Sequence, residues 1–485
     1  MSDRQDNIHH RDAEDTEGAQ RCCMLFSVPP PCPLRLCGEP PRSIRSLEIR
    51  SSILTLALLL FAAYLLPFSF VAAGDASPIS TATREGRIIV FDDVWETIRD
   101  RYYDPSLHGI DWEAERTRFR PRAADAASTA EFYAVLRRML AQLHDAHTRV
   151  YAPDDKFDWQ HPRFISVGLS MREVDGQAVV AAVERESDAA RAGLRAGHII
   201  KSLDGEPALD IFKRRLREEV GASTPSAARL RAMATIFDGA RDSTVRVGWM
   251  DAGGKERFAS LRREWRKRDV KLSVRRVGGG YGVLEFEAFT QTITLDLMHA
   301  LGERLRGVRG LVIDLRNNGG GEAEAMIEVA SAFLPAGRNL GRFTDRTGRI
   351  RLEPQTRAAM LMAADSITRF DAPVVILTSE RTSSAAEIFV AAMKEARRAT
   401  TLGSPTCGCV LAIQRRHALP DGGGLDVSEM DYRTAGGTRL EGTGIAPDET
   451  IPLNIDDLRA GRDRALEQAI QFLKSSQHRL RKPGG

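Results

Sequence analysis

The feature that most constrains this fold is an alternation of apolar strands and helices in the C-terminal half of the chain. Met326–Phe333 and Ala385–Ala396 have the apolar periodicity of helices. Strands that alternate with helices form parallel sheets covered by those helices. Residues 270–475 are therefore predicted to be an α/β core, closed by an amphipathic helix over Leu458–Leu473. The apolar runs predicted as its strands are Gly282–Phe286, Gly310–Leu315 and Val374–Thr378.

Two regions of different character precede this core. Residues 85–157 carry apolar side chains at a 3.6-residue period and are predicted to form a helical cap. Residues 162–265 change to short alternating strands with Gly-rich turns, which predicts a β domain. The six cysteines are too few for a disulfide scaffold. The 69 Lys and Arg nearly balance the 66 Asp and Glu, which argues against a nucleic-acid partner.

The N-terminal residues, 1–74, indicate where the protein is located in the cell rather than how it folds. Residues 1–50 are polar and unpatterned, as in a disordered leader. Residues 51–74 hold an apolar run that is long enough to cross a bilayer once, with arginines before it and Asp75 after it. Small residues at its end also suit signal-peptidase cleavage, so a transmembrane segment and a signal peptide both stay open. In either case the body is predicted to be exported to the periplasm or another extracytoplasmic space, and an uncleaved segment would anchor it in the inner membrane.

Within the β domain, two stretches resemble parts of a PDZ domain. Ser187–Ile200 resembles its helix and following strand, and Val167–Ser170 resembles the loop that holds a peptide carboxylate. Consecutive N–H groups in a Gly-containing turn can bind an anion, and the adjoining strand edge can accept a peptide as an added strand. Gly168 and Leu169 are thus candidate peptide-binding residues for a polypeptide C-terminus. The alternative is a structural β domain that binds nothing.

A glycine loop directly follows one of the predicted buried strands. Leu315–Gly321 ends in three consecutive glycines, whose backbone N–H groups are left unshielded. Such a loop is suited to donating hydrogen bonds to a developing oxyanion. Because no Gly-Lys-Ser/Thr follows, a phosphate-binding loop is disfavoured. The alternative is a plain tight turn.

A serine turn lies between the strand ending at Thr378 and the helix that starts at Ala385. A serine at such a turn is exposed, and the N–H groups of the helix start point toward whatever it attacks. Ser384 is the candidate nucleophile at this turn. Ser384 and Glu387 also have the spacing of a capping box, so helix capping is the alternative.

Together, the two segments resemble the C-terminal processing (tail-specific) serine peptidases. The motifs are Asp314–Gly321 and Ser383–Phe389, and the resemblance covers about residues 85–475. It implies an α/β protein with a helical N-terminal cap, a PDZ-like β domain and a crotonase/ClpP-like α/β catalytic core. It also implies Ser384 as nucleophile and an oxyanion hole formed by the N–H groups of Ala385 and of Gly320 or Gly319.

The chain departs from this family at the general base. Its lysine position holds Cys409, and a thiol cannot act as a buried neutral amine. The nearby Lys394 is predicted to be solvated. A second branch, which includes the tricorn core protease and resembles the repeats of interphotoreceptor retinoid-binding protein, uses a cap histidine and a late glutamate instead. His147 and Glu441 match those two positions, although Ala146 replaces the serine that precedes the histidine in tricorn.

The resemblance therefore implies a branch without the lysine, in which His147 is the general base and Glu441 orients it. The alternative for His147 is a structural histidine that bridges cap and core. His144 lies one helical turn away as a second candidate, and neither a metal nor a cofactor is predicted. Cys407 and Cys409 have an awkward spacing for a disulfide and are predicted to be small packed groups, with redox switching as a second idea.

The sequence thus predicts an exported serine endopeptidase that cleaves polypeptides through an acyl-enzyme on Ser384. The alternative is a catalytically inactive homologue that binds peptides or another ligand, because Cys409 stands at the lysine position. An acyl hydrolase acting on a small ester or lipid would use the same residues.

Overall fold

The computed structural model describes residues 79–155, 163–218, 221–267, 270–358 and 369–481. The predicted leader, residues 1–50, and the apolar segment, residues 51–74, lie outside the described residues. Within the described ranges, no helix combines the length and the apolarity needed to cross a membrane.

The N-terminal part of the described chain is mainly helical. Ser128 and Thr83 cap two of its helices, each accepting a hydrogen bond from the backbone N–H three residues ahead. The buried faces of these helices share one core with Leu425 and Val427 of a later strand. Residues 149–151 form a strand within the region predicted as a helical cap. The elements are α1 (Arg84–Arg101), α2 (Trp112–Ala124), α3 (Thr129–Leu140), 3₁₀ turns Leu107–Gly109 and Ala141–Leu143, and β1 (Arg149–Tyr151).

The next part is built around an antiparallel sheet with its own apolar core, which includes Met171, Val180 and Val247. The sheet has the strand order β3-β4-β5-β7-β8, so β3 is an edge strand, and β6 pairs with β5 while β2 pairs with β9. Its elements are β2 (Arg163–Ser166), β3 (Leu169–Val174), β4 (Gln177–Val183), α4 (Asp188–Arg191), β5 (Ile199–Leu203), β6 (Glu206–Pro207), α5 (Ala208–Glu218), α6 (Pro225–Ala234), β7 (Thr244–Met250), β8 (Glu256–Arg262) and β9 (Glu264–Lys267).

The C-terminal part contains two further sheets. A six-stranded sheet has the order β10-β11-β12-β15-β16-β19, parallel from β11 to β19. A second sheet, in the order β1-β18-β13-β14 with β17 beside β18, joins the cap to this part. The strands are β10 (Ser273–Val277), β11 (Tyr281–Glu285), β12 (Gly310–Asp314), β13 (Arg342–Asp345), β14 (Ile350–Leu352), β15 (Val374–Thr378), β16 (Ala399–Gly403), β17 (Ala412–Ala418), β18 (Gly424–Arg433) and β19 (Glu449–Thr450).

Helices cover both faces of the parallel sheet, which confirms the α/β fold class. Successive residues of β12 point to opposite faces, so that Ile313 packs under one helical layer and Val312 under the other. The predicted closing helix is instead two helices, because the chain turns at Gly461 with a φ of +64°. The helices are α7 (Gln291–Gly302), α8 (Ala323–Ser331), α9 (Ala385–Glu395), α10 (Ile455–Arg459) and α11 (Arg464–Arg481).

The topology brings the two chemically informative segments together. Strands β12 and β15 are parallel neighbours, so their carboxyl ends meet at one edge of the sheet. The glycine loop follows β12 and the serine turn follows β15. Open parallel sheets bind ligands at this edge, so a ligand-binding or catalytic site is expected there.

Candidate active site

Ser384 occupies a strained turn between β15 and α9. It is the N-cap residue of α9, with φ 56° and ψ −126°. A non-glycine residue rarely keeps a positive φ, and such turns expose a nucleophile at the top of a sheet in other hydrolase folds. The preceding residues are tied to the glycine loop: Thr382 Oγ1 donates to Leu315 O at 2.7 Å and Ser383 N–H donates to Asn318 O at 3.1 Å. Hydrogen bonds to the neighbouring strand end thus fix the turn.

Gly320 lies directly against the serine turn, with a φ of +95°. The N–H of Ala385, predicted as one oxyanion donor, has no hydrogen-bond acceptor among the described residues. Gly320 N–H, the other predicted donor, donates to Asn318 Oδ1 at 2.9 Å, whereas Gly319 N–H donates to the backbone oxygen of Glu287. Of the two glycines left open by the sequence, only Gly320 has its N–H bound to a side chain, that of the buried Asn318.

The segment that contains Cys409 lies beside Ser384. Cys409 O accepts a hydrogen bond from Ser384 N–H at 2.8 Å, and Cys407 N–H donates to Thr382 O at 2.9 Å. The predicted separate thiols are wrong, because Cys407 and Cys409 form a disulfide. Their Cα atoms are 5.3 Å apart, within the usual range, since Gly408 between them turns the chain with a φ of +71°.

Glu387 connects Ser384 to this segment. Its carboxylate is fully buried and accepts hydrogen bonds from Ser384 N–H at 3.2 Å, Gly408 N–H at 2.8 Å and Cys409 N–H at 2.9 Å. Thr406 Oγ1 donates a further one at 2.5 Å. Burial raises the pKa of Glu387 to about 7, although these four donors act in the opposite direction. The glutamate of the predicted capping box therefore also binds a distant segment.

Glu441 lies on the far side of the same segment. Its Oε2 accepts hydrogen bonds from Val410 N–H at 2.6 Å and Leu411 N–H at 3.2 Å. The hydroxyl of Ser223 also bonds to this carboxylate. Burial raises the pKa of Glu441 to about 7, partly offset by these hydrogen bonds.

His147 is near this site, but its ring is not bonded into it. Within the described part of the chain, the imidazole makes no hydrogen bond to Ser384 or Glu441, and its buried Nδ1 has no partner. Burial lowers the pKa of His147 to about 4, Asp145 acts to raise it, and Arg149 and Arg231 lower it further. The ring is therefore neutral near pH 7, as a general base must be.

The backbone beside His147 does reach the site. Ala146 packs against Cys407 and Cys409, and its N–H donates to Ser223 Oγ at 3.3 Å. Ser223 thus links the histidine segment to Glu441. The structure brings Ser384, Ala385, Gly320 and Cys409 together and places Glu441 beside them, whereas the ring of His147 is not joined to them.

A cavity of about 970 Å³ borders the histidine segment. Asp145, Ala146, Thr148 and Arg149 lie in its wall, so the cavity flanks His147 on both sides along the chain. The lining also contains both signs of charge, with Arg137 paired to Asp155 and Arg266 paired to Glu264. Its other charged residues are Arg231, Arg241 and Asp154.

The remaining predicted residues have defined places. Gly168, with a φ of +81°, donates its N–H to Ser166 Oγ at 2.9 Å, and Leu169 begins the edge strand β3. Lys394, predicted to be solvated, is instead paired with Asp448 at 2.6 Å. Among the described residues, no group of three or more His, Cys, Asp or Glu side chains is arranged to hold a metal ion.

Comparisons with known proteins place this geometry in a family. Residues 280–451 match the description "Peptidase family S41", and residues 89–141 match "Tricorn protease C1 domain". The chain is 27% identical over 424 residues to carboxyl-terminal-processing peptidase 3, chloroplastic, of Arabidopsis thaliana, covering 82% of this chain and 76% of that protein. It is 26% identical over 422 residues to the carboxyl-terminal-processing protease of Synechocystis sp., covering 84% and 91%. These matches confirm the predicted resemblance to the C-terminal processing peptidases, with the family S41 match lying over residues 280–451.

Solved structures agree with this assignment. The photosystem II D1 C-terminal processing protease superposes with a TM-score of 0.50 at 26% identity, covering 76% of this chain and 93% of that chain. Mature CPAF complexed with lactacystin has a TM-score of 0.62 at 12% identity, covering 81% and 98%, and supports the fold alone. The family S41 match and the processing proteases confirm the predicted serine-type peptidase. Its placement in a branch without the lysine stays a prediction.

Three residues of the candidate site were not recognised in the sequence as parts of it. Asn318 holds Gly320 N–H, Ser223 joins Ala146 to Glu441, and Glu387 binds the disulfide segment as well as Ser384. Glu387 and Asn318 each had a local signal: the spacing of Glu387 from Ser384, and the position of Asn318 two residues before Gly320. Ser223 acts across the fold, and no short-range pattern marks it.

Proposed function

We propose that this S41 chain is an exported endopeptidase that cleaves polypeptides through an acyl-enzyme on Ser384. The observation that carries the proposal is the strained backbone of Ser384. The helix that follows begins at Ala385, whose N–H has no hydrogen-bond acceptor among the described residues. Surrounding structure must hold a residue at such a φ, and strain of this kind concentrates at functional sites. The Gly320 backbone against this turn adds a second polar group at the same point.

In the proposed reaction, Ser384 Oγ attacks the peptide carbonyl carbon while His147 takes its proton. The N–H groups of Ala385 and Gly320 stabilise the oxyanion. His147 then returns the proton to the leaving amine, and Glu441 stabilises the imidazolium meanwhile. Water hydrolyses the resulting ester by the same route in reverse.

Two adjustments must accompany substrate binding in this proposal. The ring of His147 turns to bond with both Ser384 and Glu441, and Gly320 N–H exchanges Asn318 Oδ1 for the oxyanion. The unpartnered Nδ1 of His147 supports the first adjustment, because turning the ring breaks no hydrogen bond at that nitrogen. Catalytic hydrogen bonds often tighten only in the substrate complex.

We propose that residues 162–265 form a PDZ-like domain, between a cap over residues 85–157 and a core over residues 270–475, that binds the C-terminus of a polypeptide substrate. Strand β3, which follows Gly168, is an edge of its sheet and can accept a peptide as an added strand. Export to the periplasm, with or without an inner-membrane anchor at residues 51–74, is supported by the disulfide, because such bonds persist in oxidising compartments.

A fluorophosphonate probe tests the nucleophile, together with hydrolysis of casein and of peptides. The wild-type chain should be labelled on Ser384 and should cleave, and Ser384→Ala should lose both activities. Ser383→Ala is the matched control, since it changes the adjacent hydroxyl and should keep both. Cleavage by Ser384→Ala at the wild-type rate would overturn the proposal, and wild-type turnover by His147→Gln would remove the histidine from it. A peptidase is separated from an acyl hydrolase by the same assay on short esters.

The second candidate function is peptide binding without catalysis. The unbonded ring of His147 and the replacement of the family lysine by Cys409 favour it. It predicts no labelling of Ser384 and no hydrolysis, with retained binding of peptides that end in a free carboxylate. Covalent labelling of Ser384 would exclude it.

A further inference from the structure

The Cys407–Cys409 disulfide closes a very small ring beside the candidate nucleophile. Only Gly408 separates the two cysteines, and both are buried against Ala146 and Ala227. Cys409 O accepts the N–H of Ser384 at 2.8 Å. The disulfide therefore lies between the serine turn and the histidine segment.

The backbone of this ring makes the contacts that position Ser384. Gly408 and Cys409 donate their N–H groups to the two oxygens of Glu387, and Glu387 in turn accepts the N–H of Ser384. Residues 406–411 belong to no helix or strand, so the ladder bonds of regular structure do not hold them. Their backbone N–H groups are hydrogen-bonded to other parts of the fold, and the disulfide adds a covalent cross-link within the segment.

General stabilisation does not account for a disulfide of this span. Cross-links stabilise folded proteins mainly by restricting the unfolded chain, and the effect grows with the number of residues in the loop. A loop closed around one residue restricts the unfolded chain very little. The contribution of the bond is therefore expected within the folded site, in the path from Cys409 through Glu387 to Ser384.

We propose that Cys407 and Cys409 are a redox-active pair that sets the reactivity of Ser384. The disulfide form keeps the segment in the geometry that binds Glu387 and Ser384, and the dithiol form releases it and slows acylation. In the reduction, two thiol groups of an external reductant supply two electrons and two protons. The Cys407–Cys409 bond breaks, two cysteine thiols form, and the reductant becomes a disulfide; an external disulfide reverses the exchange. The inference about reactivity rests on the proposed nucleophile.

The test uses the full chain with Cys22, Cys23, Cys32 and Cys37 replaced by serine, so that thiol effects arise at the pair alone. The chain is equilibrated with dithiothreitol and then with oxidised glutathione. Thiols are counted by alkylation and intact mass, and the rate of Ser384 labelling is measured in each state. We expect two thiols to appear on reduction, labelling to slow at least tenfold, and both changes to reverse on oxidation.

A variant and a direct probe of the segment complete the test. Cys407→Ser with Cys409→Ser should label at the slow rate with and without reductant, and thermal unfolding should show that it remains folded. Hydrogen exchange in peptides covering residues 404–411 should accelerate on reduction. Equal labelling rates and equal exchange in both redox states would overturn the inference. Faster exchange on reduction with no labelling in either state would retain the redox pair and reject Ser384 as nucleophile.

Discussion

A methyl group on Gly320 would lie 2.6 Å from the Cβ atom of Ser384. The same methyl group would lie 3.0 Å from the nitrogen of Ala385, the proposed oxyanion donor. Real Cβ atoms do not approach other heavy atoms so closely, so the glycine loop can touch the serine turn only without a side chain. This contact joins the two segments that the proposed chemistry needs.

Gly320→Ala should therefore lower both stability and the reactivity of Ser384, because the added methyl group clashes with the serine turn as well as straining the backbone of residue 320. We expect the free energy of unfolding to fall by more than about 2 kcal/mol, from the positive φ and the overpacking together. Ser384 labelling should slow by about 100-fold, as for loss of an oxyanion donor. Gly337→Ala is the matched control, because Gly337 has a φ of +76° and open space around its Cβ position. It should cost about 1 kcal/mol and leave labelling unchanged; equal labelling rates in the two variants would contradict the prediction.

Glu387→Gln should weaken the hydrogen bonds through which residue 387 joins Ser384 to the disulfide segment. The amide group would present N–H donors to a site that contains only donors, which leaves buried groups unsatisfied. We expect a loss of about 2–4 kcal/mol in unfolding free energy and a fall in kcat/KM that appears mainly in kcat.

Asp421→Asn provides the comparison for Glu387→Gln, because Asp421 is also a buried carboxylate and accepts hydrogen bonds from Tyr133 Oη and Gly423 N–H, which are not part of the site. It should lose stability and keep its rate of Ser384 labelling. Normal labelling in Glu387→Gln would show that Glu387 only caps the helix.

The buried carboxyl of Glu441 makes stability depend on pH. Its folded-state pKa, about 7, lies above the ordinary value of 4.5, so the folded chain holds a proton that the unfolded chain has lost between these values. The stabilisation is fully present below pH 4.5 and is lost as pH rises through 7. Glu441→Gln should therefore gain stability relative to wild type across this window, by at most about 1.4 kcal/mol per pH unit.

Chemical denaturation at several pH values measures that difference. His147 has the opposite effect, because its lowered pKa favours the folded state as pH rises from about 4 to 6.5. For this reason the informative quantity is the difference between wild type and Glu441→Gln, in which the contribution of His147 cancels. A difference that is flat from pH 4.5 to 7 would show that Glu441 titrates normally.

Tyr102 and Tyr133 provide a matched pair of fully buried tyrosines. The hydroxyl of Tyr102 has no hydrogen-bond partner among the described residues, whereas Tyr133 Oη donates to Asp421 Oδ2 at 2.7 Å. Removing an unpaired buried hydroxyl costs little, while removing one partner of a buried hydrogen bond to a charged group costs about 1.5–3 kcal/mol. Thermal unfolding should therefore show Tyr133→Phe destabilised and Tyr102→Phe unchanged or more stable. The reverse order would mean that Tyr102 is bonded in solution.

Local patterns in the sequence determined the framework of this protein. Strand β15 matches its predicted range, and α9 ends one residue before its predicted end. Apolar runs specify buried strands, and the three glycines and the serine turn follow directly from residue type. The resemblance to the processing peptidases implied that the glycine loop and Ser384 share one site, and the parallel pairing of β12 with β15 brings both to one edge of the sheet.

Only the tertiary structure decided which side chains and backbone groups of the site are bonded to one another. The disulfide of Cys407 and Cys409 depends on the turn at Gly408, and the captured N–H of Gly320 depends on the rotamer of Asn318. Nδ1 of His147 is buried without a partner among the described residues, because its environment comes partly from segments that are distant in sequence, such as the one that contains Arg231. Hydrogen bonding and desolvation of a side chain are set by which distant atoms pack around it, and local periodicity carries no record of them.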